Sequence, residues 1–266
     1  MIVSKNETLK EYIRKNYGQI AESGSSGSCC SGGCSCSGTT LVPAETSARL
    51  GYTGEELAEL PAGANMGLGC GNPVALAALK VGETVLDLGC GGGLDCFLAS
   101  KQVGPDGHVI GVDMTAEMIS LARKNATEAG YDNVEFRLGE IEHLPVADNT
   151  VDVIISNCVL NLSTNKAQAY REIYRVLKPG GRLMISDIVA TVPLPEQVRS
   201  DLQLFAGCVA GAEHVDNLRE LMNQVGFTGI DLTPKDNSRE IIQSWAPGSK
   251  LEEYVASFNI TANKPS

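Results

Sequence analysis

The stretch VLDLGCGGG, residues 85–93, constrains the fold of this chain more than any other. An aliphatic run ends in three alternate glycines, Gly89, Gly91 and Gly93, and the helical stretch LDCFLASKQV follows at once. Glycines in that position let a strand turn sharply and let the backbone approach a bound group, because no Cβ is in the way. The rhythm then repeats. HVIGVD (108–113) precedes TAEMISLARKNATEAG, where Thr115 is the predicted N-cap. VEFRLG (134–139), VDVIISN (151–157), a helix near 165–177 and GRLMISDIV (181–189) follow. In that helix Tyr170, Ile173, Tyr174 and Leu177 share one face. Strands alternating with helices through short links predict an α/β fold, a doubly wound and mostly parallel sheet covered on both sides.

The flanks read differently. Residues 4–20 predict a short helix with Leu9, Tyr12, Ile13 and Tyr17 close to one stripe. Residues 22–40 are Gly/Ser/Cys-rich with too little apolar surface to fold alone, and read as a mobile thiol arm. A helix is expected over GEELAEL (54–60), followed by the loop PAGANMGLGCGNP. Beyond Ala190 the expected elements are a helix from about Pro195 toward Cys208 and another over about 216–225. Two strands, FTGIDLTP (227–234) and YVASFNITA (254–262), complete a C-terminal α+β extension.

Charge and composition remove several classes of function. The net charge is −11 and no basic run occurs, which argues against nucleic acid as a partner. No run of about eighteen apolar residues exists, so no membrane-spanning helix is expected. The first twenty residues are charged and lack an apolar core, unlike a signal peptide. A cytoplasmic setting, where thiols stay reduced, is the default expectation. Against that background nine cysteines stand out. Cys29, Cys30, Cys34 and Cys36 sit in the arm, and their spacing lacks the paired pattern of a structural zinc site. Cys70, Cys158 and Cys208 stand alone and far apart. Cys90 and Cys96 flank the glycine turn and read as scaffold.

The turn itself selects a cofactor class. A dinucleotide site needs G-x-G-x-x-G and pyrophosphate at the helix start. Here the spacing is G-x-G-x-G, with Asp87 just before it. A carboxylate there repels pyrophosphate but suits the cationic amino-acid end of S-adenosylmethionine. Asp113 closes the second strand 26 residues after Asp87, near the spacing at which a carboxylate takes ribose hydroxyls. Strand, turn and second acidic residue resemble class I S-adenosylmethionine-dependent methyltransferases, as do LPVADNTVDVIISN (144–157) and LKPGGRLMISD (177–187). The resemblance implies that Ile141 and Glu142 lie along the adenine, that Met114 covers its other face, and that Asn157 borders the cofactor.

The acceptor follows from what replaces the usual chemistry. Base-amine methyltransferases carry an Asn/Asp-Pro-Pro-aromatic run after the fourth strand, whereas this chain has SNCVLNLS. GLGCGNP (67–73), SNCVLNLS (156–163), FAGCVAGA (205–212), the Cys-rich arm and NITANKP (259–265) together resemble the arsenite methyltransferase family over nearly the whole chain. Trivalent arsenic is thiophilic and keeps a lone pair above three sulfur ligands, so it can attack a sulfonium methyl without a general base. The resemblance implies Cys70, Cys158 and Cys208 as arsenic ligands, with arsenite or its thiol complexes as substrate. It also implies that Cys29 or Cys30 takes part, forming a disulfide with Cys70 during turnover that thioredoxin or glutathione resets. The expected division is an N-terminal helix and arm (1–48), an S-adenosylmethionine-binding domain (49–190) and an arsenic-site and capping region (191–266). Two rivals are a quinone-type C-methyltransferase, which needs none of the three lone cysteines, and a non-catalytic metalloid-binding protein, which needs no glycine turn.

Overall fold

A computed structural model describes residues 5–23, 43–245 and 248–266; Cys29, Cys30, Cys34 and Cys36 lie outside the described residues. In chain order these form α1 (Lys5–Ser23), α2 (Pro43–Arg49), α3 (Gly54–Ala58), α4 (Pro73–Leu76), β1 (Thr84–Leu88), α5 (Leu94–Val103), β2 (His108–Asp113), α6 (Ala116–Ala129), β3 (Val134–Leu138) and β4 (Val151–Asn157). A single 3-10 turn at Leu160–Leu162 leads to α7 (Lys166–Val176) and β5 (Leu177–Ala190). Then come α8 (Glu196–Arg199), α9 (Leu202–Ala206), α10 (Val215–Val225), β6 (Thr228–Pro234), α11 (Ser238–Trp245), a 3-10 turn at Leu251–Glu253, and β7 (Val255–Asn263).

The seven strands form one sheet in the order β3-β2-β1-β4-β5-β7-β6. The first five are parallel, and β7 runs antiparallel between β5 and β6, so the C-terminal strands continue the same sheet. Chain order reverses between β1 and β4, the position where such sheets bind ligands. Alternation along β1 divides the core. Leu86 and Leu88 face one layer with Ile110, Val112, Ile154 and Ile173. Val85 faces the other with Val109, Val153, Phe97 and Cys96. Each aliphatic side chain so buried contributes about 1.5–3 kcal/mol of transfer free energy. Asp87 falls two residues after Val85 and therefore points toward α5, a polar group inside an apolar layer.

Several local expectations change in detail. Tyr12 is 36% exposed and lies off the stripe, which runs instead through Ile13 and Ile20. The helix expected from Pro195 toward Cys208 is broken into α8 and α9, because the Asp201 carboxylate accepts the Gln203 and Leu204 amides and restarts the helix. Strand β5 begins at Leu177, since Leu177 pairs with Val151 across a register shift. Thr115 occupies the N-cap of α6, yet its own side chain caps nothing. No described helix is long and apolar enough to cross a membrane.

Candidate active site at the carboxyl edge of the sheet

The glycine turn has the backbone that its sequence demands. Gly89, Gly91 and Gly93 have φ of 69°, 50° and 96°. A Cβ on Gly89 would meet Val159 Cγ2 at 2.2 Å, so the turn and the loop after β4 are in direct contact. The Gly89 and Cys90 amides both reach the Val112 carbonyl, at 2.7 and 3.1 Å. Asp113 ties the turn to β2: its Oδ2 accepts the Gly91 amide at 3.1 Å and its Oδ1 the Thr115 amide at 2.9 Å. Burial raises the Asp113 carboxyl above its ordinary range, and these backbone donors pull it partly back.

Below the turn lie two buried carboxylates. Asp87 is 2% exposed and Asp95, in the first turn of α5, 7%. Cys96 donates its thiol to Asp87 Oδ2 at 3.3 Å, and Tyr52 donates its hydroxyl to Asp95 Oδ1 at 2.7 Å. Burial pushes Asp87 well up and Asp95 up to about 6; the charged groups that bear on them are themselves acidic, Asp95 and Asp113 on Asp87 and Glu56 on Asp95. A cationic group placed beside such a pair would offset its charge. Asp95 and Tyr52 escaped the sequence reading. An acidic residue in a first helical turn is routine, and only the fold brings Tyr52 to it from 43 residues away.

Asn157, at the end of β4, joins this acidic corner to the loop before α4. Its Oδ1 accepts the Cys70 amide at 2.9 Å, while its Nδ2 donates to the Gly71 carbonyl at 2.6 Å and the Tyr52 hydroxyl at 3.0 Å. A Cβ on Gly69 would lie 2.7 Å from that carboxamide. On the far side of the turn, Met114, Leu138, Gly139 and Glu140 line an open cavity of about 520 Å³ together with Arg14, Lys15, Ala116 and Glu117. Ile141 packs into the main core, and the Glu142 carboxylate turns inward to accept Ser163 Oγ at 2.8 Å. Glu140, which the sequence reading passed over, borders the cavity together with Glu117.

The three lone cysteines converge. Cys70, Cys158 and Cys208 share one buried cluster although the chain brings them from three separate loops. The Cys158 thiol stands between the other two, in contact with both. Among the described residues, Cys70, Cys158 and Asp187 offer donor atoms within 4.8 Å of one another. The Cys208 thiol also donates to the Cys158 carbonyl at 2.7 Å. Cys158 and Cys208 both adopt left-handed backbone, with φ of 61° and 63°. That conformation is costly without glycine and concentrates at functional sites.

Second-layer groups hold the cluster. Lys235 Nζ donates to the Cys70 carbonyl at 2.8 Å and to Ser186 Oγ, which in turn lies 3.4 Å from the Cys70 sulfur. Asp187 accepts the Leu160 and Ile188 amides and the Asn161 carboxamide, fixing the loop that carries Cys158. Burial pushes the Cys70 thiol well up. Hydrogen bonding with Cys208 raises Cys158 most, and burial adds to that rise against an opposing bond with Cys70. At Cys70 and Cys158 the neutral thiol is therefore favoured. Cys90 and Cys96 belong to the core, as expected.

The chain is similar to several known proteins. A family described as a methyltransferase domain matches residues 79–226. An arsenite methyltransferase from Halobacterium salinarum is 52% identical over 97% of this chain and 67% of its own length. One from Aquipseudomonas alcaligenes is 44% identical over 60% of this chain and 48% of its own length. The chain thus spans about two thirds of the first of these relatives and about half of the second. A solved structure of an arsenic(III) S-adenosylmethionine methyltransferase from Chlamydomonas reinhardtii superposes with a TM-score of 0.61 at 34% identity, covering 83% of this chain and 73% of that one. With its sheet order, its glycine turn and these relatives, the chain belongs to the arsenite methyltransferase family of S-adenosylmethionine-dependent enzymes.

Proposed function

We propose that this chain methylates trivalent arsenic held by the thiolates of Cys70, Cys158 and Cys208. The observation that carries the reading is the convergence of three cysteines, far apart in sequence, into one buried cluster whose Cys158 loop touches the glycine turn through Val159. Trivalent arsenic reaches the pocket as a thiol complex. Each site cysteine replaces one carrier thiol, and the thiol proton leaves with the carrier, so neutral buried thiols suit the exchange. Cys158 lies centrally, and Cys208 completes the set by giving up its bond to the Cys158 carbonyl. Bound S-adenosylmethionine supplies an electrophilic sulfonium methyl. The thiolate pyramid keeps the arsenic lone pair fixed in direction, which is where proximity and orientation act. Asp87 and Asp95 supply the negative charge that a cationic donor requires. Attack by the lone pair oxidises arsenic by two electrons. The Cys29/Cys30 arm, with Cys70, is the thiol source for returning it to the trivalent state, with thioredoxin or glutathione reducing the resulting disulfide. That chemistry belongs in a reducing compartment such as the cytoplasm.

The reading is tested with purified protein, methyl-labelled S-adenosylmethionine, arsenite and glutathione. Label in methylated arsenicals is the expected result. Intact binding of S-adenosylhomocysteine with no label on arsenic overturns the substrate assignment.

A further inference from the structure

The inner face of helix α1 carries an unexplained polar group. Asn16 Nδ2 is buried and has no hydrogen-bond partner among the described residues. An amide donor enclosed without an acceptor destabilises a fold, so its retention calls for a partner. Its position suggests one. Residues three and four apart share a helix face, so Ile13, Asn16 and Ile20 form one row. Ile13 packs in the cluster of Cys70, Cys158 and Cys208, against which Met114 also lies. Ile20 packs with Met66 and Met118. Met114 directly follows Asp113, and the Met66 methyl lies 3.2 Å from where a Cβ on Gly91 would stand. Asn16 therefore sits between two groups of residues that border the glycine turn and the end of β2.

The helix is also fastened at that place. Lys10 Nζ reaches Glu140 at 2.6 Å and Glu142 at 3.6 Å, and Arg14 pairs with Glu140. Tyr17 donates its hydroxyl to the Ala206 carbonyl at 3.1 Å, two residues before Cys208. Gly18 lets α1 press on α6, since a Cβ there would come within 3.2 Å of the Glu117 carboxylate. Arg14 and Lys15 line the same open cavity as Met114, Leu138 and Glu140.

We propose that α1 is a wall of the cofactor site, and that Asn16 Nδ2 donates to an acceptor oxygen on the ribose of the cofactor's adenosyl group. Lys10 and Arg14, acting through Glu140, are positioning residues that hold the helix over it. The proposal rests on the reading that S-adenosylmethionine lies against the glycine turn. It makes α1 a single rigid element touching the cofactor edge, the Met66–Leu68 approach to Cys70, and the loop of Cys208.

The test uses the full chain and two adenosyl probes, S-adenosylhomocysteine and 5′-methylthioadenosine, with affinities measured by calorimetry and apo stability by thermal melting. Asn16→Leu removes the donor and fills its space. Asn16→Asp keeps the shape but replaces the donor by an acceptor, and guards against misfolding of the first variant. Both variants should weaken both probes about tenfold, which is about 1.4 kcal/mol. The apo melting temperature of Asn16→Leu should hold or rise, because an orphan donor is lost. Lys10→Met with Arg14→Met should weaken both probes less, and Glu140→Gln should do the same. Probe affinities within twofold of wild type in the folded Asn16 variants overturn the proposal, as does a loss confined to S-adenosylhomocysteine. Failure of wild type to bind either probe would instead overturn the underlying cofactor reading.

Discussion

The glycine turn and the thiol pocket adjoin each other at the carboxyl edge of the sheet, but they are built in opposite ways. The turn is nine consecutive residues whose conformation follows from their own side chains, or the lack of them. The pocket gathers Cys70, Cys158 and Cys208 across 138 positions of chain, from 70 to 208, and none of the three has a local reason to be where it is. A turn of this kind tolerates little change in backbone and has few side-chain contacts to lose. The pocket tolerates shifts in the loops only as far as three sulfurs can still meet one atom. The two sites communicate where Gly89 meets Val159, the residue after Cys158.

The sharpest way to separate them is to remove the thiols. Cys70→Ser, Cys158→Ser and Cys208→Ser should each lower arsenite methylation by about 100-fold or more, because a missing ligand misdirects the arsenic lone pair. The affinity for S-adenosylhomocysteine should stay within about twofold, since exchanging sulfur for oxygen leaves the Gly89–Val159 contact and the turn in place. If all three variants methylate arsenite at wild-type rates, the pocket is not the arsenic site.

Gly89→Ala should break the separation. The added Cβ would stand 2.2 Å from Val159 at a φ of 69°. The expected loss is about 2–4 kcal/mol, combining overpacking with a strained backbone, read by urea unfolding. Both cofactor affinity and arsenite turnover should fall. Adding Val159→Ala relieves the clash but not the φ, so only part of the loss should return. Full recovery would show that backbone strain is unimportant at this turn.

The carboxylates under the turn give a pH test of moderate size. Burial lifts Asp95 to about 6 from its ordinary 3.8. For the apo protein, a folded-state pKa above the unfolded one means that this group's stabilisation is complete below about pH 4 and is lost as pH rises through about 6. Binding of an ammonium group has the opposite sign. Protonation removes the attracting charge, so S-adenosylhomocysteine affinity should weaken as pH falls below about 6, by up to about tenfold per unit. Asp95→Asn should weaken binding at neutral pH and flatten the profile. An unchanged profile in that variant would reassign the titration.

Asn157 spans the two regions and should show a smaller, mixed effect. Asn157→Ala frees the Cys70 amide and the Gly71 carbonyl, at a cost of about 1–3 kcal/mol for unpaired buried groups. Arsenite turnover should fall more than cofactor affinity, since the lost bonds hold the Cys70 loop. The smallest effect is expected at Cys90→Ala. The residue packs in the core without reaching the thiol pocket, so methylation should stay within about twofold with a loss of about 1 kcal/mol or less in stability.

Much of this was legible in the chain. The five parallel strands, the turn and the acidic ends of β1 and β2 all announce themselves through short-range pattern. The broken helix before Cys208 was not, because Asp201 restarts α9 by a side-chain cap that competes locally with continuing α8. Tyr12 showed the limit of a hydrophobic stripe: its ring faces solvent while Ile13 and Ile20 are buried. In the site, Asp87, Asp113 and the glycines stood out by position relative to a strand end. Asp95, Tyr52, Asp187 and Lys235 carried no such mark, since each acquires its role from a partner distant in sequence.

What the sequence by itself determined is the local material: where strands stop, where only glycine can turn, and which thiols stand outside the scaffold. Those follow from backbone sterics and side-chain periodicity, which act over a few residues. The tertiary structure decided the rest. Crossovers around β1 and β4 bring three loops to one edge, burial raises the Cys70 thiol and the carboxylates there, and packing of α1 on that edge leaves its Asn16 amide facing inward without a partner among the described residues. Proximity and desolvation are properties of the assembled sheet, and no stretch of nine residues contains them.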